Sequence, residues 1–264
     1  MKTNEIDFLV TKEYRLFKEF CTACKRDKYI GICHGSPGVG KTLSAKHYSI
    51  WDSIEKLDPF SDRSKYTPEM AEAKTVFYTP PVSNSPRRID DGLNDALLKL
   101  RVAFYYGKRK HENDNIDDDD ECELVIVDEA DRLNLQSLEH LRDRYDQEKF
   151  GLVVIGMPGI EKKISRFPQF YSRVGFSHAY KPLSEEEMEF VLQNHWERLG
   201  LSFSHDDFTD KEAMATVIRV TSGNFRLVNR LFSQIQRIMH VNSLSSITKE
   251  VVEAARKCLV VGVN

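Results

Sequence analysis

Gly35, Gly38 and Gly40, followed by Lys41 and Thr42, fit the spacing G-x-x-x-x-G-K-[ST] over residues 35–42, the Walker A phosphate loop. Glycine lets the backbone curl until consecutive N–H groups face one concavity, which makes a nest for phosphate oxygens. Ser36, Pro37 and Val39 supply backbone to that nest, and the helix expected from about Lys41, with Leu43 in its first turn, adds the positive end of its macrodipole. The Lys41 ammonium would reach the β- and γ-phosphates, and the Thr42 hydroxyl would take one position on Mg²⁺. The rival reading is a glycine-rich turn with a chance lysine. An apolar run before it (29–33) and a helical pattern after it, through Leu43, Ala45, Tyr48 and Trp51, favour a nucleoside triphosphate as the ligand.

Leu124, Val125, Ile126 and Val127 lead into Asp128-Glu129, the form of a Walker B element. Asp128 would hold Mg²⁺ through its water shell, while Glu129 would orient and activate the attacking water. A bare helix cap is the competing role, and the upstream phosphate loop weighs against it.

Elements that could position these residues alternate along the chain. A helix is expected over 6–28, a strand over 29–33, and a helix from the phosphate loop to about 54. A polar connection holding Asp58-Pro59 and Thr67-Pro68 precedes a strand at 75–78, and Ser85-Pro86 opens a helix whose apolar side includes Ile89, Leu93, Leu97, Leu98 and Leu100. Strands at 124–127 and 151–156 bracket a helix over 134–147. Another helix ends near 166–168, and a last strand-like segment starts at Arg173. From Leu183 the pattern is helical only. Ser184 with Glu187 makes a capping box, and helices follow at 210–221, 225–241 and on to Leu259. These periods imply an α/β class: a parallel sheet with helices on both faces and the nucleotide at its carboxyl edge, then a small all-helical lid. The expected division is an N-terminal helical segment (1–28), a nucleotide-binding domain (29–182) and the lid (183–264).

The bulk properties suit a soluble chain in a reducing cytoplasm. It has 264 residues, 41% of them hydrophobic, and five cysteines without framework spacing. No apolar run approaches a membrane span, and the N-terminus lacks the form of a signal peptide. Cys21 and Cys24 form one C-x-x-C pair in a helical pattern, read as packing residues with a redox role as the lesser alternative. The net charge of −3 conceals an acidic loop, 111–123, that carries eight acids and no lysine or arginine. Without those eight the net charge would be +5, so the rest of the chain is mildly basic. Such a run is expected to be a solvated loop, with competition for a basic surface as a weaker reading.

Two arginines complete a recognisable order. Arg173 follows Tyr171-Ser172, and Arg226 follows Ser222-Gly223-Asn224-Phe225. With Walker A and Walker B ahead of them, these elements look like those of an AAA+ ATPase, a P-loop NTPase. Val10-Thr11-Lys12-Glu13-Tyr14, residues 127–133 and the compact size resemble the TnsC/TniB and Mu B-type ATPases of DNA transposition.

The resemblance implies ATP-dependent rings or filaments on duplex DNA, target selection, recruitment of a transposase, and hydrolysis at subunit interfaces. It implies that Arg173 is a finger reaching a neighbour's γ-phosphate, with Arg166 as its competitor, and that Arg226 closes the lid over its own nucleotide. Gly156-Met157 departs from the family, which usually presents a polar residue at the end of that strand. For DNA, the resemblance points to the segment after the second strand, where Arg87, Arg88, Lys99, Arg101, Lys108, Arg109 and Lys110 fall. Arg87 and Arg88 are favoured there. A replication-type initiator or loader, and a secretion or signalling ATPase that binds no DNA, stay open as alternatives. A small-molecule P-loop kinase is disfavoured by the helical tail.

Overall fold

The structure, a computed structural model, describes residues 8–58, 62–108 and 121–259. It divides into two compact units. One comprises Tyr14–Gly35 and Lys41–Tyr180; the other comprises Met1–Glu13, Ser36–Gly40 and Lys181–Asn264.

The first unit is built on five parallel strands, β1 (Ile30–His34), β2 (Thr75–Tyr78), β3 (Leu124–Val127), β4 (Gly151–Gly156) and β5 (Val174–Ala179), in the order β2-β3-β4-β1-β5. β3 and β4 are buried along their whole length, which accounts for their unbroken apolar runs. β5 lies at the edge and alternates half-buried with exposed residues. The chain leaves β1 toward β2 on one side and β4 toward β5 on the other, so the sheet's switch point lies at the carboxyl end of β1.

Helix α1 (Lys12–Asp27) lies against β1 and β4 so closely that a Cβ on Gly31 would meet Cys24 Sγ at 2.5 Å, and one on Gly151 the Cys24 carbonyl oxygen at 2.3 Å. Cys21 and Cys24 are fully buried there as packing residues, and Phe20 stacks on His178. Residues 6 and 7 of the expected first helix lie outside the described residues, and residues 8–11 are not helical.

The helix after the phosphate loop does not run unbroken to 54. It splits into α2 (Lys41–Tyr48) and α3 (Trp51–Glu55). Ser49 Oγ donates back to the Ala45 carbonyl at 2.8 Å, and Ile50 adopts a left-handed φ of 54°. The turn re-aims the chain so that Trp51 and Ile54 are buried. The polar connection contains an unforeseen short helix, α4 (Pro68–Glu72), which buries Met70 and Ala71. The long helix α5 (Pro86–Lys108) buries Ile89, Leu93 and Leu100, but Leu98 is 49% exposed and does not belong to its apolar side. Residues 111–120 of the acidic loop, with Arg109 and Lys110, lie outside the described residues. Helix α6 (Leu135–Glu148) follows β3. The helix expected after β4 is α7 (Ile160–Ile164), and a second, unforeseen helix follows it, α8 (Pro168–Tyr171), opened by Pro168, whose missing N–H and fixed φ suit a helix's first turn.

Among its described residues the second unit has the helices α9 (Glu185–Arg198), α10 (Phe208–Thr221), α11 (Phe225–Asn242) and α12 (Lys249–Lys257). Ser184 and Glu187 form the reciprocal capping box. Met188, Leu192, Trp196, Val217, Leu231 and Ile235 form the core, with the His195 ring stacked on Phe232 at 4.6 Å.

Burial, helped by the nearby Arg198 charge, pushes the His195 imidazole down to about 4. The unfolded chain therefore takes up this proton at higher pH than the folded one. The neutral ring's contribution is complete above about pH 6.5 and is lost as pH falls toward 4, by roughly 2–3 kcal/mol. His195→Phe keeps the stack without the titration. Urea melts followed by Trp196 fluorescence in a Trp51→Phe background should show the acid-induced loss shrinking by that amount.

Candidate functional site

In the sheet unit, β1 delivers the chain to Gly35, where a Cβ would lie 2.3 Å from the Tyr180 carbonyl oxygen. No side chain fits that approach, so the first loop glycine is a steric requirement. Lys41 opens α2 and its ammonium donates to the Gly35 carbonyl, which folds the lysine over the start of its own loop. Next to it, Thr42 Oγ1 donates to Asp128 Oδ2 at 2.6 Å.

Asp128 sits just past β3, fixed by its own N–H to the Tyr78 carbonyl at 2.9 Å. It is 3% exposed, and burial pushes its carboxyl up, opposed by the Thr42 hydroxyl and the Glu129 N–H. The Lys41 charge also favours its ionised form, while the Glu129 charge disfavours it. A hydroxyl beside a buried carboxylate is a hard oxygen donor pair. It fits a divalent cation such as Mg²⁺ that keeps most of its ligands as water and phosphate.

Glu129 takes a left-handed φ of 51° and is half exposed and ion-paired to Arg132. Arg132 also donates to the Pro80 carbonyl at 3.0 Å, and Asn84 Nδ2 donates to the Arg132 carbonyl at 2.8 Å. The loop after β2 thus braces the turn that carries Glu129. At the end of β4, Asp131 Oδ2 accepts from the Met157 N–H at 2.7 Å, and a Cβ on Gly156 would come equally close to it. Asp131 fills the space where Gly156-Met157 offers no polar side chain.

Arg173 stands between α8 and β5 and is committed within the chain. Its Nε and Nη2 donate to the two Asp146 oxygens at 2.6 and 2.7 Å. Arg166 is exposed, and its guanidinium makes no hydrogen bond or ion pair among the described residues. Arg87 and Arg88 are exposed in the first turn of α5, where Arg88 Nη1 donates to the Ser83 carbonyl at 2.8 Å. Lys99 pairs with Asp95 at 3.7 Å, and Lys108 lies over the Phe104 ring.

In the helical unit, the loop tip Ser36–Gly40 is held by the turn before α11. Asn224 Nδ2 donates to the Pro37 carbonyl at 2.9 Å, and the Arg226 N–H donates to the Gly38 carbonyl at 3.1 Å. Gly38 has a φ of +85°, and a Cβ there would lie 2.4 Å from Asn224 Oδ1, so two separate constraints require glycine. Val39 is buried, Leu43 is 38% exposed, and the Arg226 side chain is exposed.

Sequence reasoning did not find Arg132, Asn84, Asp131, Asp146 or Asn224. Asp131 and Arg132 fall within the stretch 127–133 and Asn224 just before Arg226, but nothing local pointed to the roles of Asn84 or Asp146.

Comparison with known proteins matches this geometry. The family model described as "AAA domain" matches residues 24–164. A "Potential ATP-binding protein" of Staphylococcus aureus is 46% identical over 273 residues, covering 99% of this chain and all of that protein. The Mu-like prophage FluMu DNA transposition protein B of Haemophilus influenzae is 24% identical over 218 residues, covering 77% of this chain and 64% of that one. Among solved structures, the Thermotoga maritima RuvB Holliday junction branch migration motor superposes with a TM-score of 0.59 at 15% identity, over 96% of this chain and 70% of that one. The Aeropyrum pernix ORC1 protein in complex with DNA does so with a TM-score of 0.58 at 16% identity, over 95% and 66%. With its phosphate loop, its buried aspartate and more than half its length accounted for, this chain belongs to the AAA family of ATP-binding ATPases and resembles the B-type transposition ATPases.

Proposed function

We propose that this chain is an ATPase that assembles with ATP on duplex DNA, as a ring or helical filament, and selects transposition targets by recruiting a transposase. The observation that carries the ATPase part is the 2.6 Å contact between Thr42 and buried Asp128, beside Glu129 and the Lys41 end of the phosphate loop. The likeness to a transposition protein B supports the client.

In this reading residues 35–43 cradle the triphosphate, and Lys41 transfers its hydrogen bonds from the Gly35 carbonyl to phosphate oxygens. Thr42 and Asp128 hold Mg²⁺, which screens phosphate charge. Glu129 leaves Arg132 to orient and deprotonate the attacking water. Arg173 serves the neighbouring subunit's nucleotide and Arg226 its own. Arg87 and Arg88 contact DNA phosphates without reading sequence. The division into an N-terminal helical segment (1–28), a nucleotide-binding domain (29–182) and a lid (183–264) is proposed as the domain organisation.

Lys41→Ala should weaken ATP binding by about tenfold or more, about 1.4 kcal/mol, in fluorescent-nucleotide titration. The wider reading is tested by negative-stain imaging with duplex DNA and a slowly hydrolysed ATP analogue at low salt. Rings or filaments dependent on both are expected. If DNA changes neither assembly nor turnover, the transposition and replication readings both fall, leaving an ATPase that acts on protein.

A further inference from the structure

We propose that Asp146 is a positioning residue that holds the Arg173 guanidinium ready for the neighbouring subunit's nucleotide. This rests on Arg173 acting in trans, as proposed above.

An arginine guanidinium carries five N–H donors in a rigid plane. Asp146 takes two of them, from Nε and Nη2, in a bidentate fork at 2.6 and 2.7 Å. The Gln169 carbonyl accepts another from Nη1, with Ser172 Oγ at the long distance of 3.5 Å. Among the described residues Nη2 keeps one N–H without a partner, and Nη1 has only the long Ser172 contact besides Gln169, so each terminal nitrogen can turn an N–H to a phosphate. The side chain is 32% exposed, so that edge has access to solvent. The contact therefore spends one edge of the guanidinium on orientation and leaves the other for a ligand.

The anchor is itself fixed. Arg142 Nη1 donates to Asp146 Oδ2 at 2.6 Å, and Arg142 Nε donates to Glu139 at 3.2 Å. All three lie on α6, whose first turn is capped by Asn134 accepting from the Ser137 N–H at 2.9 Å and whose Leu138 and Leu141 are buried. α6 begins six residues after Glu129, so one rigid helix joins the turn carrying a subunit's own base to the residue that orients its arginine. A free arginine has much rotamer freedom to lose on meeting a phosphate, and a bidentate carboxylate removes that freedom in advance. Arg166 has no such holder among the described residues.

A simple staple between α6 and β5 would use the same contact, so the test must be directional. A Glu129→Gln protein binds ATP and offers its Arg173, whereas an Arg173→Ala protein offers an intact site. Mixed on duplex DNA with ATP, they should hydrolyse faster than either alone, because only mixed interfaces are complete. Adding Asp146→Asn to the Glu129→Gln protein should cut that turnover by about tenfold to a hundredfold. Adding it to the Arg173→Ala protein should leave turnover within about twofold, since Asp146 then has no arginine to hold. Equal loss in both mixtures, misfolding included, makes the contact a staple and overturns the proposal, as does no loss in either. If the mixture lacking Asp146→Asn gains nothing, it is the trans role of Arg173 that fails.

Discussion

Arg173→Ala is expected to leave ATP binding by the isolated subunit unchanged while lowering assembly-stimulated turnover by about a thousandfold or more, the range for arginines that stabilise charge on a transferring phosphoryl group. Its bidentate grip on Asp146 shows that the side chain is already ordered before any neighbour arrives. The effect should appear in kcat under saturating ATP and should not be rescued by raising protein concentration, because assembly still forms. Arg173→Lys should fare little better, since an ammonium cannot use one edge for Asp146 and another for phosphate. The rival is Arg166, exposed and unheld. A fully active Arg173→Ala together with a dead Arg166→Ala would transfer the role to Arg166.

Glu129→Gln should retain ATP while hydrolysis falls by about a hundredfold or more, the loss that follows removal of general-base assistance. Glu129 is half exposed while Asp128 is buried, so the two acids do different work. Gln keeps the length and can still accept a hydrogen bond but cannot take a proton. Equilibrium binding and single-turnover hydrolysis, measured on one preparation, separate the two effects. A variant that hydrolyses normally would restrict Glu129 to its ion pair with Arg132 and place the base elsewhere.

The strands were legible because a parallel sheet buried on both faces demands continuous apolar runs, and residues 124–127 and 151–156 have nothing else to be. The phosphate loop was legible because its glycines answer to sterics that act within a few residues, together with contacts to Tyr180 and Asn224 that no other residue would permit. The break at Ile50 was not, since the helical period runs through Tyr48 and Trp51 while the turn depends on where Trp51 and Ile54 are buried. Leu98 satisfied the apolar period yet faces solvent, as a helix with partners along only part of its length allows. Partners such as Asp131 for Met157 and Asp146 for Arg173 are 26 and 27 positions away in the chain, and periodicity carries no information about charges brought together by topology.

The most direct test of a nucleotide site completed by a neighbour is ATP turnover per subunit as protein concentration rises, with and without duplex DNA. Specific activity should climb steeply from near zero, and DNA should move that climb to lower concentration. Constant turnover per subunit from the most dilute sample upward, indifferent to DNA, would contradict it.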